Sequence, residues 1–140
     1  MIGTDYPYEP KEGVCKYDQN KLVGAVLGSY NITAGDEHEM AAVVAKVGPV
    51  ALSYWVVDGF RDYKSGVYTK VGCGSTPMDV NHAVQAVGYG EEDGMDMWIV
   101  KNSWGQDWGD QGFFKIRRGT NECALAVCNS YPAGVHAWKY

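Results

Sequence analysis

Ala83-Val84-Gln85-Ala86-Val87-Gly88-Tyr89 and Trp98-Ile99-Val100-Lys101 flank Gly90-Glu91-Glu92-Asp93-Gly94. Two runs rich in β-branched and aromatic residues around a glycine-bounded acidic turn form a β-hairpin signature. A turn centred near Glu92 pairs residues whose numbers sum to about 184, and His82 and Asn102 satisfy that sum. They are expected opposite each other at the open end of the ladder, on one face, with Cβ atoms roughly 4.5–5.5 Å apart. An Asn amide oxygen there accepts the imidazole N–H and fixes the ring's tautomer. That is the orienting role in nucleophile–base–orienter catalysis. Trp104, two residues past Asn102, would cover the pair and lower the local dielectric. A surface His and Asn on an ordinary hairpin is the other reading of the same spacing.

Outward from the hairpin, the chain reads as further strands separated by glycine turns. Val50 to Val57, Gly66-Val67-Tyr68-Thr69 and Gly112-Phe113-Phe114-Lys115-Ile116-Arg117 have strand composition,. Leu22 to Ile32 alternates loosely, as one or two short strands,. One helix is expected: Asp36 caps it, Glu39 completes a capping box, and Met40, Val43, Val44 and Val47 form its apolar face,. Gly48-Pro49 stops it,. The first 20 residues are loop-like, with neither a strand nor a helix period,. The expected class is α+β: a mostly antiparallel sheet or barrel with one packed helix.

Composition removes several function classes. The formal charge is −5 and no run of Lys or Arg occurs, which argues against nucleic acid as the main partner. The longest uncharged apolar stretch, Val47 to Val57, has 11 residues, roughly half a membrane-spanning helix, so no membrane span is read. Met1 to Asp5 has neither a basic nor an apolar stretch and is not read as a signal peptide,. Gly is 18 of 140 residues, about twice the usual share, which favours turns and strands over a helical bundle. The four Cys and three His show no C-x-x-C or H-x-x-x-H spacing, so a zinc site is not expected. Asn31-Ile32-Thr33 fits the N-glycosylation sequon, making Asn31 a candidate,.

Val80-Asn81-His82-Ala83-Val84, Gly88-Tyr89-Gly90 and Trp98-Ile99-Val100-Lys101-Asn102-Ser103-Trp104-Gly105 resemble the papain family of cysteine peptidases. Trp108-Gly109, Gly112-Phe113-Phe114 and Ser130-Tyr131-Pro132 continue that family's order. Gly59-Phe60-Arg61, Tyr63 to Tyr68 and Thr76 to His82 are similar to its cathepsin H and aleurain branch, and the likeness runs from about Tyr6 to Pro132. The resemblance implies a general-base His82 and an orienting Asn102, with peptide or protein as substrate and neither a metal nor any other cofactor. Trp104 would shield their contact, Trp108 would line the leaving-group side of the cleft, and Asn81 and Ala83 would flank the substrate. Core packing is the other reading of both Trp residues.

The family's nucleophile Cys and oxyanion-hole Gln belong to an N-terminal lobe, which is expected as the missing partner of this chain. Cys73-Gly74-Ser75-Thr76 is similar to the C-G-S-C string around that nucleophile, but it lies only six residues before His82 and runs into Pro77. It is therefore rejected as the nucleophile. By the same resemblance Cys73 and Cys123 form a disulfide, and Cys15 is an orphan whose partner lies in the absent half. Cys128 sits where the branch tethers a propeptide-derived mini-chain that favours aminopeptidase action. A buried free thiol is the alternative for Cys128.

Residues 1–20 are accordingly read as an entry segment, 21–132 as the β-rich lobe and 133–140 as a C-terminal extension. Three departures from the family pattern stand out: Gln85 and Met97 at positions usually apolar and aromatic, and Ala124 where Gly is usual. The function expected is that of a cysteine peptidase's C-terminal lobe, inactive alone, from a lysosomal, vacuolar or secreted protein. The alternative is a non-catalytic homologue that binds or scaffolds. A Cys at the nucleophile position of the missing half would separate the two.

Overall fold

The strands follow in the order β1 (Gly24–Ala25), β2 (Gly28–Asn31), β3 (Val50–Tyr54), β4 (Val67–Tyr68), β5 (His82–Glu92), β6 (Met95–Lys101), β7 (Phe113–Arg117), β8 (Asn129–Ala133) and β9 (His136–Ala137). Among the described residues one α-helix, α1 (Glu37–Lys46), lies between β2 and β3, and short 3-10 turns cover Gln19–Lys21, Phe60–Asp62 and Glu122–Ala124. This computed structural model describes residues 3–70 and 72–137. By contacts the chain divides into two units, residues 30–131 and residues 1–29 with 132–140.

In the smaller unit, β1 pairs antiparallel with β9, Gly24 opposite Ala137 and Ala25 opposite His136. Leu27 N–H donates to the Ala133 carbonyl at 3.0 Å. Residues 136–137 thus form a ladder with residues 24–25 within this unit.

Among the described residues, seven strands form one sheet in the order β2-β8-β3-β5-β6-β7-β4. The sheet is open, so the expected alternative of a closed barrel is not what forms. β5 pairs antiparallel with β3 and β6, and β6 with β7. β4 runs parallel to β7, Val67 opposite Lys115, because the chain crosses over between them instead of turning back. Alternation sets the two faces. Val50, Leu52, Tyr54, Val84, Ala86, Trp98, Val100, Phe114 and Ile116 are buried, while Ala51, Ala83, Gln85, Lys101 and Arg117 are exposed,. Each large apolar side chain so placed contributes roughly 1.5–3 kcal/mol.

The hairpin register differs from the sequence expectation. Asp93 (φ 52°) and Gly94 (φ 75°) both adopt left-handed backbone, the signature of a two-residue type I′ turn. Glu92 pairs with Met95, and a bulge between Ala86 and Gly88 then shifts the pairing to Ala86 with Val100 and Gln85 with Lys101. Continuing that register sets Asn102 across from Val84, two residues from His82. The shift from the expected register is even, so His82 and Asn102 keep the same face and become diagonal neighbours.

Helix α1 starts as expected, with Asp36 Oδ1 accepting from Glu39 N–H at 2.8 Å. The reciprocal half of the capping box does not form, because Glu39 Oε2 accepts from Thr33 N–H at 2.8 Å instead. Met40 and Val43 are buried and Val44 packs against the core. Val47 is 60% exposed, since as C-cap it leaves the apolar stripe. Glu37, one residue into the helix, is 7% exposed. Its carboxylate accepts from Trp98 Nε1 (2.7 Å), Gly119 N (2.8 Å) and Asn121 N (2.6 Å). One side chain thus fastens the helix to β6 and to the turn after β7.

Cys73 and Cys123 form a disulfide, their Cα atoms 4.7 Å apart across 50 residues of sequence. Of the three departures, Gln85 lies on the exposed face and Met97 is buried. Ala124 sits at φ 62° beside Cys123 at φ 51°, in the left-handed region that favours glycine.

Candidate active site

His82 is the first residue of β5, directly opposite Tyr54 on β3. Asn102 follows β6, where its N–H donates to the Gly112 carbonyl at 2.9 Å and its side chain is buried. The two meet at 2.9 Å between His82 Nε2 and Asn102 Oδ1. The same oxygen accepts from Ser103 N–H at 2.8 Å. Two donors on one atom define which way the amide points, so Nε2 is the protonated nitrogen of the neutral ring and Nδ1 its basic one. The surface-residue reading of the pair is thereby set aside: the imidazole is half-buried and its partner buried.

Trp104 stacks on the imidazole, ring centres 5.1 Å apart and planes 28° apart. It is therefore placed to keep water from the His–Asn hydrogen bond, which strengthens as the local dielectric falls. Trp108 meets Trp104 edge to face at 4.9 Å, and its Nε1 donates to the Arg61 carbonyl at 2.8 Å. Both indoles also touch Phe60, at 5.8 and 5.4 Å, and are partly buried against the core. Each thus packs inward while bordering the site. Beneath His82, burial first, then the charges of Tyr68 and Glu122, raise the Tyr54 phenol above its ordinary 10. That ring stays neutral at every physiological pH.

Asn81 uses its side-chain amide on Val56, accepting from Val56 N–H (2.8 Å) and donating to Val56 O (3.1 Å). Its backbone N–H donates to the Tyr54 carbonyl at 3.2 Å, which extends the β3–β5 register past His82. Ala83 is exposed and lines an open groove of about 320 Å³ with Val84, Gln85, Lys101, Asn102 and Ser103.

Cys128 is a free, exposed thiol, which removes the reading of a buried free thiol. It lines a second groove of about 430 Å³ together with Asn31, Ile32, Val127, Asn129 and Ser130. Asn31 is exposed at the end of β2. Cys15 is free and exposed in the smaller unit. Among the described residues, Cys73, Glu122 and Cys123 form the one cluster with metal-ligand spacing, and its two sulfurs are bonded to each other. Among the described residues no helix is long and apolar enough to cross a membrane.

Two residues of this region escaped the sequence reading. Arg61 places its guanidinium carbon 4.7 Å from the centre of the Trp104 ring, and Glu37 anchors Trp98. Nothing in local spacing marks either, because each partner is more than 40 residues away.

A family profile described as papain family cysteine protease matches residues 1–133. Pro-cathepsin H of Medicago truncatula is 56% identical over 127 residues, covering 91% of this chain and 36% of that protein. Thiol protease aleurain of Arabidopsis thaliana is 55% identical, with the same coverage. The chain therefore spans about a third of the length of the curated relatives it matches. Digestive procathepsin L 3 from Tenebrio molitor larval midgut superposes with a TM-score of 0.89 at 38% identity, over 95% of this chain and 43% of that one. The bromelain protease of Ananas comosus, solved with the E64 inhibitor, gives 0.81 at 33% identity, over 94% of this chain and 61% of that one. The chain belongs to the papain family of cysteine proteases.

Proposed function

We propose that this chain supplies the base and the orienter of a cysteine peptidase whose nucleophilic thiol comes from residues outside these 140. The observation that carries the reading is the 2.9 Å contact of His82 Nε2 with Asn102 Oδ1 beneath Trp104. With Nε2–H held by Asn102, Nδ1 takes the thiol proton, and the thiolate–imidazolium pair lowers the thiol pKa to roughly 3–4. The thiolate attacks the peptide carbonyl, and the imidazolium returns its proton to the leaving amine. Asn102 keeps the ring aligned through both transfers. Trp108 lines the leaving-group side, and Ala83 borders the substrate groove.

The peptide or protein substrate, the N-terminal lobe and a lysosomal, vacuolar or secreted location belong to this proposal. The Cys73–Cys123 disulfide supports an oxidising compartment,, and exposure of Asn31 suits a glycosylated surface. The groove beside exposed Cys128 favours a disulfide-tethered mini-chain, hence aminopeptidase action.

In the full-length protein, His82→Ala is expected to abolish peptide hydrolysis, and thiol alkylation to do the same. Asn102→Ala should lower turnover less, because Asn only orients the ring. Undiminished activity of His82→Ala, or turnover by the 140-residue chain alone, would refute the assignment.

A further inference from the structure

We infer that Arg61 is a specificity-determining residue of the leaving-group side, receiving a carboxylate of the departing fragment. The inference rests on the peptidase reading, from which it takes the side of the scissile bond. Arg61 belongs to the 3-10 turn Phe60–Asp62, whose entry residue Gly59 has φ 84° and whose Phe60 is fully buried. Trp108 Nε1 holds its carbonyl and Trp104 lies against its guanidinium. A cation over an indole is attracted by the ring's quadrupole, which engages none of the five N–H donors. Among the described residues no carboxylate forms an ion pair with Arg61, although Asp58 and Asp62 lie on the same segment. The side chain is thus fixed in place by its neighbours while its fork, suited to a two-pronged carboxylate contact, stays open.

Distance selects which residue of the substrate it meets. His82 and Arg61 both lie on Trp104, at 5.1 and 4.7 Å from its ring centre. The guanidinium is therefore at most about 10 Å from the imidazole that protonates the leaving amine, no more than about three residues of extended chain and fewer once the acidic side chain's own reach is counted. The carboxylate belongs to the first or second residue after the scissile bond. It is either an Asp or Glu side chain there or the free α-carboxylate of a short leaving fragment.

The test compares kcat/KM of the full-length protein on peptides sharing one acyl half, with leaving halves Glu-amide, Gln-amide and Gln with a free carboxylate. At low salt, Glu-amide is expected to exceed Gln-amide about five-fold, the ratio shrinking toward one at 1 M NaCl. Arg61→Gln should remove the ratio, and Arg61→Lys should keep part of it, since the charge stays while the fork is lost. A gain by the free-carboxylate Gln peptide alone would assign the ligand as the terminal carboxylate. Because a ratio within one enzyme is independent of the folded fraction, a poorly folding variant still reports. A preference that survives Arg61→Gln, one that follows acids on the acyl side, or none at all would overturn the inference. Should the protein hydrolyse no peptide, NMR of the Arg61 side-chain N–H during titration with Gly-Glu-amide and Gly-Gln-amide decides. A shift with the Glu peptide alone sustains docking and refutes only the peptidase reading, and no shift overturns the docking.

Discussion

Replacing Glu37 tests whether one buried carboxylate joins helix, sheet and turn. Its Oε2 accepts from Trp98 Nε1 and Gly119 N, and its Oε1 from Asn121 N. Glu37→Ala leaves three donors without their partner, each worth about 1–3 kcal/mol when buried. Water reaching the half-exposed backbone donors offsets part of this, so about 4 kcal/mol is expected. With a urea slope of about 2 kcal/mol/M, that is a midpoint lower by about 2 M. Glu37→Gln is more informative. Its carbonyl oxygen can serve Trp98 and Gly119, but its NH2 then meets the Asn121 N–H donor to donor, for a loss of about 2 kcal/mol. Urea unfolding of both variants beside the wild-type protein measures the order. Hydrogen exchange should quicken first at the Trp98 indole and the Gly119 and Asn121 amides. Losses below about 1 kcal/mol for both, or Gln costing more than Ala, would refute the reasoning.

Ala124→Gly should be within about 0.5 kcal/mol of neutral, since relief at φ 62° offsets the lost methyl and the added chain freedom. Ala86→Gly, at an equally buried position on β5 without left-handed backbone, should cost about 1.5 kcal/mol; equal losses at the two sites in thermal unfolding would show that position 124 is unstrained. The Asp79 carboxyl is held below its ordinary 3.8, first by the Thr76 hydroxyl and then by the Thr76 N–H. A lowered folded pKa means that this turn's contribution is complete above about pH 4 and disappears as pH falls through the folded value. NMR titration should place the Asp79 midpoint under 3.8 and Thr76→Val should raise it, whereas an unchanged midpoint would show that the hydroxyl is not the cause.

Local chemistry made much of this protein legible in its sequence. Asp36 and Gly48-Pro49 bound α1 because capping and helix termination are decided within a few residues,. Strand composition, with alternation in β7, identified β3, β5, β6 and β7 because such signals are also local,, and so is the hairpin signature that paired β5 with β6. It placed His82 and Asn102 on one face even though the hairpin register was misjudged, since a shift of two leaves the face unchanged,. What escaped depends on atoms far apart along the chain. The bulge at Val87 reflects how β5 fits β3 and β6 together, and the parallel β4–β7 pair reflects a crossover; the type I′ turn at Asp93-Gly94, by contrast, is written locally as an Asp-Gly pair,. The carboxylate of Glu37, the guanidinium of Arg61 and the final 2.9 Å approach of Asn102 to His82 each needed the packed core to bring their partners near. Sequence periodicity determined which face each side chain takes. Only tertiary packing decided which side chains meet across that face, because such meetings depend on register, bulge and rotamer together.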